Sequence, residues 1–152
     1  MFSSLKDWLS GQKEDLSAKV SRFKNRPFMD AAMAGCALVA AADGSIDSDE
    51  KQKVAGFIRS NPAMVNFDMG TCITRFNEYA GQLEFDHGVG QVECLKAIRV
   101  ITDSDRASTL VHLCIAIGAA DGDFDSDEQA VVAKIIGELG LNLQDYGLAQ
   151  TV

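Results

Sequence analysis

The chain repeats a ten-residue acidic segment after 78 positions, and this repeat constrains its fold more than any other feature. Residues 41–50 (AADGSIDSDE) return as residues 119–128 (AADGDFDSDE), with eight of the ten positions identical. The same spacing relates further identical residues outside the segment: Cys36/Cys114, Val54/Val132, Ala55/Ala133 and Ile58/Ile136. The chain has 152 residues, about twice this spacing. The repeat therefore predicts two similar halves, about 27–83 and 89–148, related by a pseudo-two-fold axis.

Apolar residues recur at helical spacing along the chain, so the sequence predicts an all-α fold. Only two prolines interrupt it, and aromatic residues make up 7%, which disfavours an all-β fold. We expect one helical bundle of about seven to eight helices, with a basic segment at 1–26 and a helical domain at 27–152. The predicted helices cover 2–24, 28–42, 47–59, 69–83, 89–102, 104–120 and 125–139, and a short helical turn falls within 142–148.

Each copy of the repeat carries the motif D-G-x-Φ-D-x-x-E, with Φ apolar, which looks like the second half of an EF-hand calcium loop. The first half is missing, because Val39 and Ala41 stand where the first ligands would be and carry no side-chain oxygen. The carboxylates still suit a hard divalent cation such as Ca²⁺ or Mg²⁺. One copy supplies too few ligands, so backbone carbonyls, water or the other copy would have to complete a site. The candidate ligands are Asp43, Asp47, Glu50, Asp121, Asp125 and Glu128.

Helix capping is the alternative interpretation of the same acidic residues. Asp47 and Glu50 have the spacing of a capping box at a helix start, and acids in a first turn suit the helix dipole. Gly44 and Gly122 are expected as helix C-caps. Capping leaves Asp43 and Asp121 unexplained, because both lie at helix C-termini, where the dipole disfavours an anion.

The charge is divided unevenly between the N-terminal segment and the rest of the chain. Residues 1–26 carry a net charge of +3 and the remainder −11, which together make the −8 of the whole chain. An acidic body lacks the clustered bases that nucleic-acid binding requires, so no nucleic-acid partner is expected. The basic helix either docks its apolar stripe on the domain or contacts an anionic membrane or a membrane partner. In the second case the contact residues are Phe2, Trp8, Lys13 and Lys19.

No arrangement of residues typical of an enzyme appears, so we expect a non-enzymatic protein. His112 lies among apolar residues and is expected to be a buried structural histidine, while His87 is expected in a solvated turn. No phosphate-binding glycine loop or H-E-x-x-H motif is present.

The cysteines and the apolar runs indicate where the protein resides. None of the four cysteines forms a C-x-x-C pair, and all lie in apolar helical stretches, as buried free thiols do. No signal peptide is recognisable, and the longest apolar runs, 31–42 and 110–120, are too short to span a bilayer. We therefore expect a reducing, cytoplasmic setting.

The two acidic segments resemble the tellurite-resistance family TerB, and the resemblance covers nearly the whole chain. It also rests on the Lys-rich amphipathic start and on Phe28, Met29, Phe85, Asp86, Gly90, Glu93 and Lys96. The resemblance implies an all-helical domain of two similar halves, a role in resistance to tellurite and related stresses, and a divalent-cation site at the six candidate ligands. It also implies that the protein works at the inner face of the membrane with the integral-membrane protein TerC and the calcium-binding TerD group.

Related domains with the same acidic motif include that of a membrane-anchored DnaJ-type co-chaperone. This chain has no His-Pro-Asp J-motif and no transmembrane anchor. The alternative function is therefore a metal-free helical scaffold or co-chaperone-like interaction domain whose acids only cap helices.

Overall fold

A computed structural model describes residues 16, 18, 20, 25–120, 122 and 124–148 of the chain. Six α-helices and two short 3₁₀ turns form this described part, which contains no β-strand, so the all-α prediction is confirmed. The predicted count of seven to eight helices and the pseudo-two-fold axis remain predictions. The helices are α1 (Arg26–Ala40), α2 (Ser48–Ser60), α3 (Met69–Phe85), α4 (His87–Arg99), α5 (Ser104–Gly118) and α6 (Ser126–Glu138), and the 3₁₀ turns are Pro62–Met64 and Leu143–Tyr146.

The helix boundaries follow from side chains that cap the first turns. Asn25 caps α1 by accepting a 2.9 Å hydrogen bond from the Phe28 N–H. Pro27 fits the first turn, because backbone N–H groups there have no acceptor within the helix and proline lacks this group. Asp86 caps α4 by accepting from the Val89 N–H at 3.1 Å. The prediction of a turn over 86–88 is therefore wrong, since the helix already begins at His87.

Helix α1 forms the centre of the bundle. Its residues are small and apolar on nearly every side, and eleven of its fifteen residues are buried. The helix packs against α3, α4 and α5, which cover it from different sides. A helix that is apolar all round is stable in water only when neighbours surround it, and this explains its central place.

The helices on either side of the acidic segments are repeated in length as well as in sequence. Helices α1 and α5 both have 15 residues, α2 and α6 both have 13, and each second copy begins 78 residues after the first. Helices α1 and α5 approach closely at Gly35, where a Cβ atom would clash with the sulfur of Cys114. The repeated unit is thus a long apolar helix, an acidic loop and a shorter helix.

The titratable core residues behave largely as predicted. All four cysteines are free and buried. His112 is buried, with its ring edge-on to that of Tyr146 at 5.4 Å between centroids, which confirms a structural histidine. Tyr146 belongs to the 3₁₀ turn that the tail was predicted to form. The prediction for His87 is wrong, because this side chain is half-buried in the first turn of α4.

Leu16 and Val20 are buried in the core, so this part of the predicted N-terminal helix packs on the domain. None of the described helices has the length and hydropathy that crossing a membrane would take.

Candidate functional site

The two acidic segments meet because the helices that precede them pack tightly at their C-terminal ends. Gly118, the last residue of α5, lies against α1: a Cβ atom there would come within 3.0 Å of Val39 Cγ1 and 2.9 Å of the Phe124 ring. Any larger residue would push the two helix ends apart. The loops that leave α1 and α5 therefore start side by side, although 78 residues separate them in sequence.

The first loop uses Asp43 to hold its own backbone. Asp43 Oδ1 accepts hydrogen bonds from the Ser45 N–H at 3.1 Å and from the Ser45 hydroxyl at 3.4 Å, an Asx-turn arrangement. Helix capping left Asp43 unexplained, and the structure gives one of its oxygens a local role in the turn. The other oxygen remains available in chemical terms for a ligand.

Gly44 and Gly122 were expected to be the C-caps of their helices, and this expectation is wrong. The C-caps are Ala41 and Ala119, and the glycines close a further turn three residues later. Gly44 has φ 97° and Gly122 φ 82°, in the left-handed region that glycine adopts without strain. The glycines thus turn the chain from one helix toward the next.

The helix that follows each loop begins with an aspartate N-cap, but the two copies differ in how they use the next glutamate. Asp47 Oδ1 accepts from the Glu50 N–H at 2.8 Å, and Asp125 Oδ1 accepts from the Glu128 N–H at 2.8 Å. Only in the second copy does the glutamate side chain also bond to the backbone of the N-cap residue. Glu128 Oε1 accepts from the Asp125 N–H at 3.0 Å, which completes a capping box. The Glu50 carboxylate makes no such bond to the start of α2, and Glu50 lines the cleft described next.

A cleft of about 200 Å³ lies between the two copies. Its acidic wall combines Asp43 and Glu50 from the first copy with Asp125 and Glu128 from the second. Four of the six predicted ligands thus come together, Asp47 is not among the described residues that line the cleft, and Asp121 lies outside the described part. The lining residues are Val39, Ala40, Ala42, Asp43, Glu50, Lys53, Val54, Phe57, Ile117, Gly118, Asp125, Asp127 and Glu128.

Glu50 is the most unusual carboxylate of the cleft. The side chain is half-buried, and its Oε2 atom is shielded from solvent with no hydrogen-bond partner in the described part of the chain. Burial raises the pKa of Glu50, and the negative charges of Asp43 and Asp47 raise it further, while Lys53 acts in the opposite direction. An unpaired carboxylate oxygen in such a setting is electrostatically strained, and a cation would relieve that strain.

The donor set fits a hard cation in chemistry, but the described side chains do not form a preassembled cage. Across residues 25–120, 122 and 124–148, no three His, Cys, Asp or Glu side chains group closely enough to hold a metal ion. Asp121 and Asp123, the remaining acids of the second loop, fall outside these ranges. Carboxylate oxygens are nevertheless the ligands that Ca²⁺ and Mg²⁺ prefer, and Mg²⁺ commonly keeps several waters between itself and the protein.

Two charged residues of the cleft, one acid and one base, were not among the predicted site residues. Asp127 lies in the first turn of α6, and its counterpart Asp49 does not line the cleft, so the repeat alone could not single it out. Lys53 brings a positive charge to an acidic cleft one helix turn after Glu50. That i, i+3 spacing was a usable signal, because residues three apart share a helix face.

The residues predicted to contact a membrane or partner, Phe2, Trp8, Lys13 and Lys19, lie outside the described residues.

Comparisons with known proteins agree with the resemblance noted in the sequence. The family model described as "Tellurite resistance protein TerB" matches residues 29–151. The "Tellurium resistance protein TerB" of Alcaligenes sp is 36% identical over 109 residues, which cover 72% of this chain and 89% of that protein. A search of solved structures gave no significant match. The family match spans the helical domain and both acidic segments, and the chain belongs to the TerB family.

Proposed function

We propose that this protein is a non-enzymatic tellurite-resistance and stress-response adaptor that binds a divalent cation, Ca²⁺ or Mg²⁺, in the cleft between its repeated acidic motifs. The tellurite part rests on family membership and on the name of the Alcaligenes protein. The cation part rests on one observation: two acidic segments far apart in sequence line the same cleft, where Glu50 Oε2 is buried without a partner.

The residues of the cleft divide the work of binding between them. Glu50 and Asp127 offer carboxylates without a described hydrogen bond to their own helix start, while Asp43, Asp125 and Glu128 each use an oxygen in a local hydrogen bond. Asp47 and Asp121 complete the proposed set, Asp47 by orienting Glu50 through its N–H. A bound cation would neutralise charge that the cleft concentrates and would tie α2 to α6.

Partners and location follow from the family and extend the proposal. We infer that the protein works in the cytoplasm, at the inner face of the membrane, with an integral-membrane TerC-like protein and calcium-binding TerD-like proteins. The basic segment 1–26 would supply peripheral membrane contact through Phe2, Trp8, Lys13 and Lys19. A cation that bridges the two motifs would give such an adaptor a way to change its surface with the ionic state of the cell.

A metal-free scaffold is the second candidate, and specific contacts favour it. Asp43 holds a turn, Asp47 and Asp125 cap helices, and Glu128 completes a capping box, so four of the acids have structural roles without any cation. Glu50 separates the two candidates, since no described contact explains its buried oxygen.

Calorimetric titration of the metal-free protein with Ca²⁺, Mg²⁺, Mn²⁺ and Zn²⁺ tests the proposal, together with the melting temperature at each concentration. A cation that binds only the folded state raises the melting temperature, and the rise continues with the logarithm of the free cation concentration above the Kd. Glu50→Gln keeps the shape of the side chain and removes its charge, and we expect it to weaken binding by at least about tenfold.

Asp49→Asn is the matched control, because Asp49 precedes Glu50 in the same helical turn but does not line the cleft. It removes the same charge from the same helix end and should change cation affinity by less than about threefold. If no cation binds, or if both variants weaken binding equally, the cleft is not a cation site and the protein is a metal-free scaffold.

A further inference from the structure

Helix α4 presents an apolar face to solvent on the side opposite its buried face. Gly90, Cys94, Leu95 and Ile98 point into the core. The outward face carries Val89, 58% exposed, Val92, 61% exposed, and, one residue past the helix end, Val100, 60% exposed. Residues spaced three, four, seven or eleven apart share one face of a helix, so these valines form a stripe. Outward helix faces of soluble domains are normally polar.

The orientation of this stripe is held by backbone packing. A Cβ atom on Gly90 would lie 2.6 Å from the backbone of Leu83, so α4 and α3 touch here main chain to main chain. Rotating α4 to bury its valines would break this contact. The exposed stripe is therefore a fixed feature of the bundle.

Phe85 enlarges the apolar face at the junction of α3 and α4. Its side chain is 92% exposed, the most exposed of the large apolar residues in the described part of the chain. Together with the three valines it leaves roughly 400 Å² of apolar surface in water, which lies within the range of the largest patches on monomeric proteins, and such patches are often functional.

One acid and one base stand within the same stripe. Glu93 and Lys96 lie one turn apart between Val92 and Val100, and neither has an ion-pair partner among the described residues. The two charges cancel within the stripe itself, although the whole chain carries −8. A partner that covers it must offer apolar surface and one charge of each sign at the matching spacing.

We propose that this face binds a second copy of the same chain, with the two α4 helices antiparallel about a two-fold axis. In the register with the axis between Cys94 and Leu95, each Glu93 meets the Lys96 of the other copy, and each Val89 meets the other Val100. Two-fold interfaces use the same patch on both copies, so a patch with both charges at reciprocal positions is self-complementary.

The exposed area fits a weak dimer. Two such patches with their charged rims would bury on the order of 1,000 Å², which lies at the low end for specific interfaces. We expect a reversible dimer with a Kd on the order of 10–100 µM near physiological salt, where the net negative charge of each copy is screened.

Sedimentation equilibrium of the full chain, from about 10 µM to about 1 mM, measures this directly. The wild type should pass from monomer to dimer over that range. Val92→Glu places an unpaired charge in the centre of the contact and should keep the protein monomeric. Because Val92 is exposed in the monomer, the variant should keep the wild-type helical content and melting temperature.

Charge reversal tests the register. Glu93→Lys alone and Lys96→Glu alone bring like charges together across the two-fold axis, so each should weaken the dimer at least about tenfold. An equimolar mixture of the two variants should form a heterodimer, since each lysine of one chain then meets a glutamate of the other.

A wild type that stays monomeric up to about 1 mM overturns the proposal and leaves the face to another protein or to a membrane. A dimer that survives Val92→Glu, or two reversal variants that do not associate when mixed, also overturns it, because the contact then lies elsewhere or in another register. Cation binding in the cleft is separate from all of these outcomes.

Discussion

Glu50 and Glu128 occupy the same position in the two copies of the repeat, yet only Glu128 folds back on its own helix start. Its Oε1 accepts from the Asp125 N–H at 3.0 Å, whereas Glu50 Oε2 is buried at the cleft without a described partner. The two copies thus share a motif, but the equivalent glutamates have different roles. One glutamate stabilises a helix, and the other brings a strained carboxylate to the cleft between them.

The strain on Glu50 predicts an unusual effect of neutralising it. Burial and the charges of Asp43 and Asp47 raise the pKa of Glu50, so the folded state disfavours its ionised form. In metal-free protein at pH 7, Glu50→Gln should therefore raise the free energy of unfolding, by about 0.5 kcal/mol after allowance for solvent screening. Urea unfolding measures this.

The same shift fixes the sign of the pH dependence. Ionised Glu50 destabilises the folded state. This destabilisation is absent when Glu50 is protonated in both the folded and the unfolded state, and it appears as the pH rises from about 4.3 through the raised pKa of the folded state. The gain from Glu50→Gln should fade on acidification. Asp49→Asn should instead cost about 0.3 kcal/mol, because an acid in the first turn suits the helix dipole; a loss of similar size for Glu50→Gln would show that Glu50 acts only at the helix start.

The two N-caps should differ in their contribution to stability. The double variant Asp125→Ala/Glu128→Ala removes both halves of a capping box and should lower the free energy of unfolding by about 1.5 kcal/mol, while Asp47→Ala removes a single cap bond and should cost about 1 kcal/mol. Chemical denaturation of the two variants gives the comparison. Equal losses would mean that the Glu128 return bond contributes nothing measurable.

The close approach at Gly118 should be essential to the cleft. Gly118→Ala places a methyl group within 3.0 Å of Val39 and the Phe124 ring and should lower the free energy of unfolding by about 1–3 kcal/mol. Gly137→Ala is the control, because a Cβ there meets nothing within 4 Å and a helical alanine is favoured by about 0.5–1 kcal/mol. Thermal melts should move in opposite directions for the two variants. A stable Gly118→Ala protein would mean that α1 and α5 can separate at little cost.

The cysteines should be unreactive in the native protein. Burial raises the pKa of Cys114 and of Cys94 to about 12 and that of Cys72 to about 11, and Cys36 is shifted in the same direction. Since the thiolate is the reactive form, a disulfide reagent at pH 7.5 should modify none of the four rapidly and all four after unfolding in guanidinium. Rapid modification of the folded protein would contradict this.

Most of the helical architecture could be predicted, because it depends on local signals. Helical periodicity and the capping box at Asp47 and Glu50 placed most helix ends within two residues. The position of His87 in a helix was not predicted, because a D-H-G sequence has the composition of a turn. The Asp86 side chain accepts from the Val89 N–H, and this cap makes the segment the start of a helix. The choice between turn and cap depends on one hydrogen bond that composition does not reveal.

The sequence by itself determined that the chain is helical and that two copies of an acidic motif precede matching helices. It listed the carboxylates without saying which of them share a site. Only the tertiary structure decided this, because the packing of Gly118 on Val39 brings the loops together and because Glu50 and Glu128 point different ways from equivalent positions. Local propensities act within a few residues of each other, whereas the cleft depends on contacts between helices 78 residues apart.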